Sequence, residues 1–229
     1  MGITQNIGAS SLIKPGVIDN TAARPASPYE GQVIFQKDTD QLLVWNGTTW
    51  VIPNSPAQNP QGLEFITGGT QSGSTALNVD GCFTTTYNNY RIVLSEIQIS
   101  TSDRALRLNY RSSGTTNTNG DYIYAYRGLR ENGVSGDTSS GGSVAFAEIG
   151  VYIATFANLQ LGNASIDIYS PNLSVRTGAT VNAYGYESGY QFRQGGFVFN
   201  VNTPFDGFRI FLNSTGNVAF KYEVYGYRK

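Results

Sequence analysis

The groups that catalysis most often uses are scarce in this 229-residue sequence. It has no histidine, which removes the Ser-His-Asp and Cys-His nucleophile systems and the commonest transition-metal ligand. It also lacks the Gly-x-Ser-x-Gly motif and the glycine-rich loops that bind phosphate. Two carboxylates could still hydrolyse a glycosidic bond, but the acidic residues show no pairing along the chain. We therefore expect no enzymatic activity, with glycoside hydrolysis by a pair formed on folding as the alternative.

Tyrosine offers the chemistry that remains, because its ring stacks on the C–H face of a sugar while polar neighbours bind the hydroxyls. The sequence has 15 tyrosines, and several lie close to glycine- and serine-rich stretches. The candidate glycan contacts are Tyr122, Tyr124, Tyr126, Tyr186 and Tyr190, with Tyr184 in the same neighbourhood. The alternative is that most of these rings pack in a core or an interface. No cofactor and no metal site is predicted, although calcium near residues 119–121 stays open.

The charge balance argues against a nucleic-acid partner. The sequence has 15 lysines and arginines against 16 acidic residues, and the basic residues are scattered. Binding that depends on phosphate neutralisation needs a basic patch. No apolar run approaches the ~20 residues of a membrane span, so we expect no membrane insertion. The single cysteine, Cys82, cannot form an intrachain disulfide and is expected to be a small buried apolar residue.

The most regular short element is a meander over residues 24–53. Apolar runs at Gln32–Gln36, Gln41–Trp45 and Thr48–Ile52 alternate with polar turns. The last turn is Asn46-Gly47, the strongest short hairpin signal, because a type I′ turn needs positive φ at both central residues. These features predict a three-stranded β-meander.

This meander offers little interior for its own side chains. Units below about 40 residues usually need disulfides, metals or association with other chains. Trp45 and Trp50 are the only tryptophans of the protein, and Val33, Phe35 and Trp45 have no large domain of their own to pack into. We therefore predict that Val33, Phe35, Trp45 and Trp50 serve oligomerisation or attachment. The alternative is that the meander packs on the C-terminal domain of the same chain.

The remaining segments complete an all-β architecture. Residues 1–23 lack helical periodicity and are predicted to be an extended docking arm, with a disordered tail as the alternative. The proline-rich residues 54–62 are predicted to be a linker. From residue 63 to residue 229, short apolar runs recur every 8–12 residues or so, as in an antiparallel jelly-roll-like β-sandwich. A break in the alternation near Ser95-Glu96 predicts a bulge. The polar stretches Ser112–Gly120 and Glu131–Ser143 are predicted to be surface loops.

The meander also resembles a unit that recurs in bacteriophage tail fibres and other virion appendages. The shared pattern is R-P-x-x-P-x-x-G-Q, an apolar run, a D-T-D turn, a second apolar run and N-G-x-x-W. Its matches here include Arg24, Pro25, Gly31 and Trp50. The pieces Phe83–Leu94 and Asn217–Lys229 are similar to a β-sandwich domain often found in such fibres.

The resemblance implies a structural protein of the virion, assembled in the host cytoplasm. The expected form is a homotrimeric tail fibre or short tail appendage, held to other virion proteins through residues 1–53 and recognising a host-surface glycan with its sandwich. A capsid decoration or head-fibre protein is the alternative location, and a glycan-degrading tailspike is the alternative activity.

Overall fold

The computed structural model describes residues 15–53, 62–100, 104–131, 135–153, 162–186, 189–212 and 216–228. Within these ranges every regular element is a β-strand except one 3-10 turn, Thr21–Ala23, so the predicted all-β class is confirmed. The chain divides into two compact units, residues 1–60 and 61–229, and the division falls inside the predicted linker. Residues 1–14 of the predicted arm and 54–61 of that linker lie outside the described ranges.

The first unit is a four-stranded sheet. Its strands are β1 (Gly16–Ile18), β2 (Val33–Gln36), β3 (Gln41–Trp45) and β4 (Trp50–Val51), in that order across the sheet. β2, β3 and β4 are antiparallel neighbours, which confirms the predicted meander. β1 pairs with β2 in parallel and was not predicted as a strand, because three residues are too few to show an alternation. Residues 16–23 are therefore part of the folded unit rather than of an arm.

One face of this sheet holds a small interior. Ile34, Leu43 and Gln36 are buried, and Trp45 and Trp50 lie on the same face with ring centroids 5.6 Å apart. The amide of Gln36 donates to Thr21 Oγ1 at 3.1 Å and accepts from Arg24 Nε at 2.8 Å. These bonds tie the segment before β2 to the sheet. The tryptophans thus find partial shelter within the unit itself.

The opposite face of the same sheet consists of apolar side chains. By strand alternation and register it carries Val17, Val33, Phe35, Leu42, Val44 and Val51, which we call the apolar face. Val17 is 58% exposed and Leu42 is 43% exposed. Two of the four residues predicted for oligomerisation, Val33 and Phe35, belong to the apolar face, whereas the tryptophans do not.

The second unit is an antiparallel β-sandwich, as predicted. Its strands in chain order are β5 (Leu63–Ser74), β6 (Ala76–Val79), β7 (Asn89–Ile99), β8 (Arg104–Ser112), β9 (Thr115–Thr116), β10 (Tyr122–Arg130), β11 (Ser135–Val144), β12 (Ala147–Ile153), β13 (Gly162–Tyr169), β14 (Thr177–Tyr186), β15 (Tyr190–Phe199), β16 (Gly207–Leu212) and β17 (Val218–Tyr227). The larger sheet has the order β11-β10-β15-β14-β13-β7-β17-β5. The smaller sheet has the order β12-β8-β16-β6, with β9 paired to β8.

The core of the sandwich contains many aromatic rings. Fully buried Tyr110 stacks on Phe205 at a centroid distance of 4.7 Å and lies 6.0 Å from Phe197. Cys82 is buried in the same core, as predicted, and this burial raises the pKa of its thiol to about 12. Rings of this size contribute strongly to the apolar area removed from water, which explains why a chain with so few leucine-rich segments still forms a stable interior.

Two local predictions have different outcomes. The bulge near Ser95-Glu96 is confirmed, since Glu96 has a φ of 55° and β7 changes register against both of its neighbours there. The loop predicted at Glu131–Ser143 is wrong, because Ser135–Val144 forms edge strand β11. One of its glycines has a packing role: a Cβ atom on Gly141 would lie 2.6 Å from the ring of Tyr124.

Candidate functional site

Three of the five tyrosines predicted to contact glycan lie in the interior. Tyr122, Tyr124 and Tyr126 alternate along β10 as expected, but their side of the strand faces the smaller sheet and all three are buried. The Tyr122 hydroxyl accepts a hydrogen bond from the Tyr110 backbone N–H at 2.8 Å, and burial raises its pKa to about 12. The glycan-contact prediction is therefore wrong for these three residues. Alternation shows which side chains share a face, but not which face is covered.

Tyr126 belongs to a buried polar cluster between the sheets. Its hydroxyl donates to the Glu148 carboxylate on β12 and accepts from Arg193 Nη1 at 3.3 Å. Arg193 also donates to Gln191 Oε1 at 2.6 Å. Because these side chains are buried, the cluster satisfies groups whose burial would otherwise be costly. It joins the two sheets and is not accessible to a ligand.

The other two predicted tyrosines lie on the outer face of the larger sheet, the face turned away from the smaller sheet. Tyr186 and Tyr190 face each other at the end of the β14–β15 hairpin, with centroids 5.3 Å apart and planes at 82°. The next outward pair along the hairpin is Tyr184 and Phe192, with centroids 6.2 Å apart. Tyr184 is 38% exposed and Phe192 is 56% exposed. Four rings thus form a ladder along one hairpin.

A groove of about 880 Å³ runs across the outer face beside this ladder. We call it the outer groove. Its lining comes from five neighbouring strands, β10, β15, β14, β13 and β7. The residues that line it are Val93, Leu94, Arg127, Leu129, Asn163, Ala164, Ser165, Asn182, Ala183, Tyr184, Phe192, Arg193 and Gln194.

The groove combines a polar row with an aromatic row. In register across the four strands, Arg127 lies opposite Gln194, Gln194 opposite Asn182, and Asn182 opposite Ser165. We call these four residues the polar row. Two residues further along the same strands, Leu129, Phe192, Tyr184 and Asn163 form the aromatic row. The two rows are about 7 Å apart, since each residue advances a strand by about 3.3 Å.

Asn163 fixes the end of the aromatic row. Its side-chain amide donates to the Tyr184 hydroxyl, and its Oδ1 accepts from the Glu96 backbone N–H at 3.2 Å. The bulge in β7 is what brings the Glu96 amide to this position. The Tyr184 ring is therefore held in place before any ligand arrives, which lowers the entropy lost on binding.

A second, shallower trough of about 470 Å³ lies on the same face next to the polar row. Gly178, Thr180 and Gly196 form its floor, and Ile123, Val198 and Tyr169 contribute to its sides. It offers a mainly apolar surface without large side chains in the middle. The trough and the outer groove thus lie side by side on the outer face of β10, β15, β14 and β13.

Positive and negative side chains are distributed unevenly around the groove. The lining contains no aspartate or glutamate, and its exposed cation is Arg127. Asp167 lies on β13, two residues beyond Ser165 of the polar row. Its carboxylate accepts two hydrogen bonds from Arg91, of 2.7 and 2.8 Å. Hydrogen bonding by Arg91 lowers the pKa of Asp167, and the Tyr227 hydroxyl, which donates at 2.6 Å, acts in the same direction. Asp167 therefore stays ionised, and its carboxylate is already hydrogen-bonded to Arg91 and Tyr227.

Within the described ranges, neither a metal-binding cluster nor a membrane-spanning helix is present. Among those residues, no group of three or more cysteine, aspartate or glutamate side chains could hold a metal ion. No helix in the described part of the chain is long and apolar enough to cross a membrane. The groove can stack rings on a flat apolar surface and can exchange hydrogen bonds with hydroxyl groups.

Sequence reasoning missed most of the groove. Along each strand, the exposed groove residues alternate with buried ones, so the sequence of one strand is enough to show that they share a face. These residues are Phe192, Gln194, Asn182 and Arg127. Their assembly into two rows depends on the pairing β10-β15-β14-β13, in which β10 and β15 are about 60 residues apart in sequence. Nothing local in the sequence fixes that pairing.

Comparisons with known proteins give little further information. No protein-family model matches this chain. No curated protein matches it either. A solved crystal structure of the Caenorhabditis elegans galectin LEC-6 overlaps 72% of this chain and 99% of its own, at 14% sequence identity and a TM-score of 0.30.

Proposed function

We propose that this chain is a structural, non-enzymatic virion protein that binds a glycan of the host surface. In this proposal it is a homotrimeric tail fibre or short tail appendage. Residues 1–53 attach it to other virion proteins and to its own copies, and the C-terminal sandwich carries the binding surface. The resemblance of the meander to phage appendage proteins is the ground for the virion assignment.

The observation that carries the binding role is the outer groove. Exposed rings at Phe192 and Tyr184 lie beside the amides of Asn182 and Gln194 on one rigid sheet. A sugar presents an apolar C–H face and a rim of hydroxyls, and this arrangement complements both at once. Because the groups are on strands rather than on loops, their spacing is fixed before binding.

The attachment role is supported by the apolar face of the first unit. A small sheet that leaves Val17 and Leu42 largely exposed stabilises itself by burying that face against another surface. A second and a third copy of the same chain would supply such a surface in a closed, symmetric assembly.

The binding role is tested with the purified full-length chain on an array of bacterial surface polysaccharides and defined oligosaccharides. We expect binding to at least one saccharide class, and a loss of that binding on Phe192→Ala. An absence of binding to every saccharide would contradict the proposal.

The location is tested by electron microscopy of virions from the genome that encodes this chain, labelled with antibody against residues 62–229. Label at the tail is the expected result. Label on the head would replace the tail assignment with the capsid-decoration alternative, and unlabelled virions would contradict a virion role.

A further inference from the structure

We infer that the outer groove selects saccharides that carry a carboxylate, and that Arg127 is the residue that binds this group. The inference rests on the proposed glycan-binding function and specifies the class of ligand. It is drawn from the position and the charge environment of one arginine.

Three arginines of the sandwich are held in ion pairs within the described part of the chain, whereas Arg127 is not. Arg91 is paired with Asp167 at 2.7 Å, Arg111 with Asp80 at 2.6 Å and Arg228 with Glu64 at 3.0 Å. Arg127 is exposed on the outer face and has no ion-pair partner among the residues that the structure describes. An exposed guanidinium on a concave ligand surface is therefore available to an anion from outside.

The lining of the groove favours that anion. Its thirteen residues contain no carboxylate, so nothing in the groove repels a negative charge or competes for Arg127. The acidic side chains described on the outer face around the groove already have partners. Asp167 binds Arg91, Glu96 binds Lys221 at 2.6 Å, and Glu131 accepts a hydrogen bond from the Tyr190 backbone N–H at 3.0 Å. The local charge of the groove is positive even though the whole chain has a net charge of −1.

The placement of Arg127 joins the anion site to the sugar-stacking surface. Arg127 lies directly opposite Gln194 on β15 and diagonal to Phe192, the most exposed ring of the groove. Diagonal neighbours on paired strands are about 7–8 Å apart, within reach of long side chains. A sugar ring on Phe192 can therefore present a substituent to Arg127 while its hydroxyls contact Gln194 and Asn182.

The chemistry of the guanidinium favours a carboxylate over a hydroxyl. Its planar fork presents parallel N–H donors that match the two oxygens of a carboxylate, and these charge-assisted hydrogen bonds are about twice as strong as neutral ones. A uronic acid or another carboxylated sugar provides this group on a ring. A sulfated sugar provides negative charge with a different geometry, so the experiment must separate the two.

The test is a saccharide array in which each backbone is present in neutral, carboxylated and sulfated form, probed with the full-length chain. We expect carboxylated members to bind at least tenfold more tightly than their neutral counterparts and more tightly than the sulfated ones. Equal or better binding of the neutral members would overturn the inference and leave the proposed function intact. An absence of binding to all three forms would contradict both the inference and the proposed glycan-binding function.

Two variants then test the role of Arg127 on the best carboxylated saccharide and its neutral counterpart. Arg127→Gln should lose at least tenfold in affinity for the carboxylated form and change little for the neutral form, and Arg127→Lys should retain part of the preference. Arg176→Gln is the matched control, because it also removes an exposed positive charge, in this case from a loop before β14. An equal loss for both saccharides on Arg127→Gln, or a similar loss on Arg176→Gln, would overturn the assignment.

Discussion

At the scale of single residues, the proposed binding surface depends on rings that are exposed yet held in place. Phe192 is more than half exposed on a rigid strand, and Tyr184 is fixed beside it by the amide of Asn163. A flat, fixed aromatic surface next to amides is suited to a ligand that is itself both apolar and rich in hydroxyls.

Replacement of Phe192 by alanine should therefore weaken saccharide binding about fivefold or more, because truncating a central aromatic contact costs about 1 kcal/mol or more. Isothermal titration of the full-length chain measures this loss. Phe65→Ala is the control: Phe65 is equally exposed and meets Tyr225 edge-to-face at 5.8 Å, but it lies on β5, five strands from β15 in the same sheet. Equal losses of affinity in the two variants would contradict saccharide binding in the outer groove.

Asp167 makes stability depend on acidity. Hydrogen bonds from Arg91 lower its folded-state pKa below the value of about 3.9 that an aspartate has in an unfolded chain. The stabilisation is therefore fully present above about pH 4 and is lost as the pH falls through the lower folded-state value. We expect the urea midpoint to fall with pH in this acidic window.

Asp167→Asn should reduce that pH dependence, because the variant has no carboxylate to protonate at this position. Glu223→Gln is the control, since Glu223 is an exposed carboxylate on the same face. Urea titrations from neutral pH down to acid measure the slope for each protein. An unchanged slope in Asp167→Asn would show that other groups control the acid sensitivity.

At the scale of elements, glycine decides the packing of edge strand β11. Gly141 lies opposite Tyr124, and a Cβ atom there would come within 2.6 Å of the tyrosine ring, whereas a Cβ atom on the adjacent Gly142 would meet nothing within 4 Å. Two neighbouring glycines of one strand therefore have different physical roles.

Gly141→Ala should lower the free energy of unfolding by about 1–3 kcal/mol, the usual cost of overpacking a buried ring. Gly142→Ala should be neutral or slightly stabilising, because alanine restricts the unfolded chain more than glycine does. Urea unfolding followed by circular dichroism compares the two variants. Equal stabilities would mean that Tyr124 moves aside without cost.

The sequence was sufficient for those elements whose determinants are local. The Asn46-Gly47 turn and the apolar runs on either side of it predicted the meander, and the break in alternation at Glu96 predicted the bulge. Strand β11 could not be predicted in this way, because a run of serine and glycine has the composition of a loop. It forms a strand here by pairing with β10, where Gly141 leaves room for the Tyr124 ring. The groove could not be found either, since it depends on the long-range pairing of β10 with β15.

At the scale of the whole molecule, the apolar face of the first unit predicts self-association. Val33 and Phe35 lie at the middle of this face, on the side of the sheet away from buried Ile34. Sedimentation or light scattering of the full-length chain should give a mass three times that of one 24.8 kDa chain.

Combined replacement of Val33 and Phe35 by threonine should yield a monomer, because threonine keeps strand propensity but removes apolar contact area. Val201→Thr is the control, since Val201 is an exposed apolar residue of the second unit. Unchanged tryptophan fluorescence would show that the interior of Ile34, Leu43 and the two tryptophans is intact. A monomeric wild-type chain would contradict the trimer.

The central claim is that the outer face of β10, β15, β14 and β13 binds a host glycan. A crystal structure of the full-length chain with the best carboxylated saccharide from the array tests it most directly. The account predicts a sugar ring against Phe192 and Tyr184, with its carboxylate on Arg127. A saccharide bound to the smaller sheet or to the loops, with the outer groove empty, would contradict it.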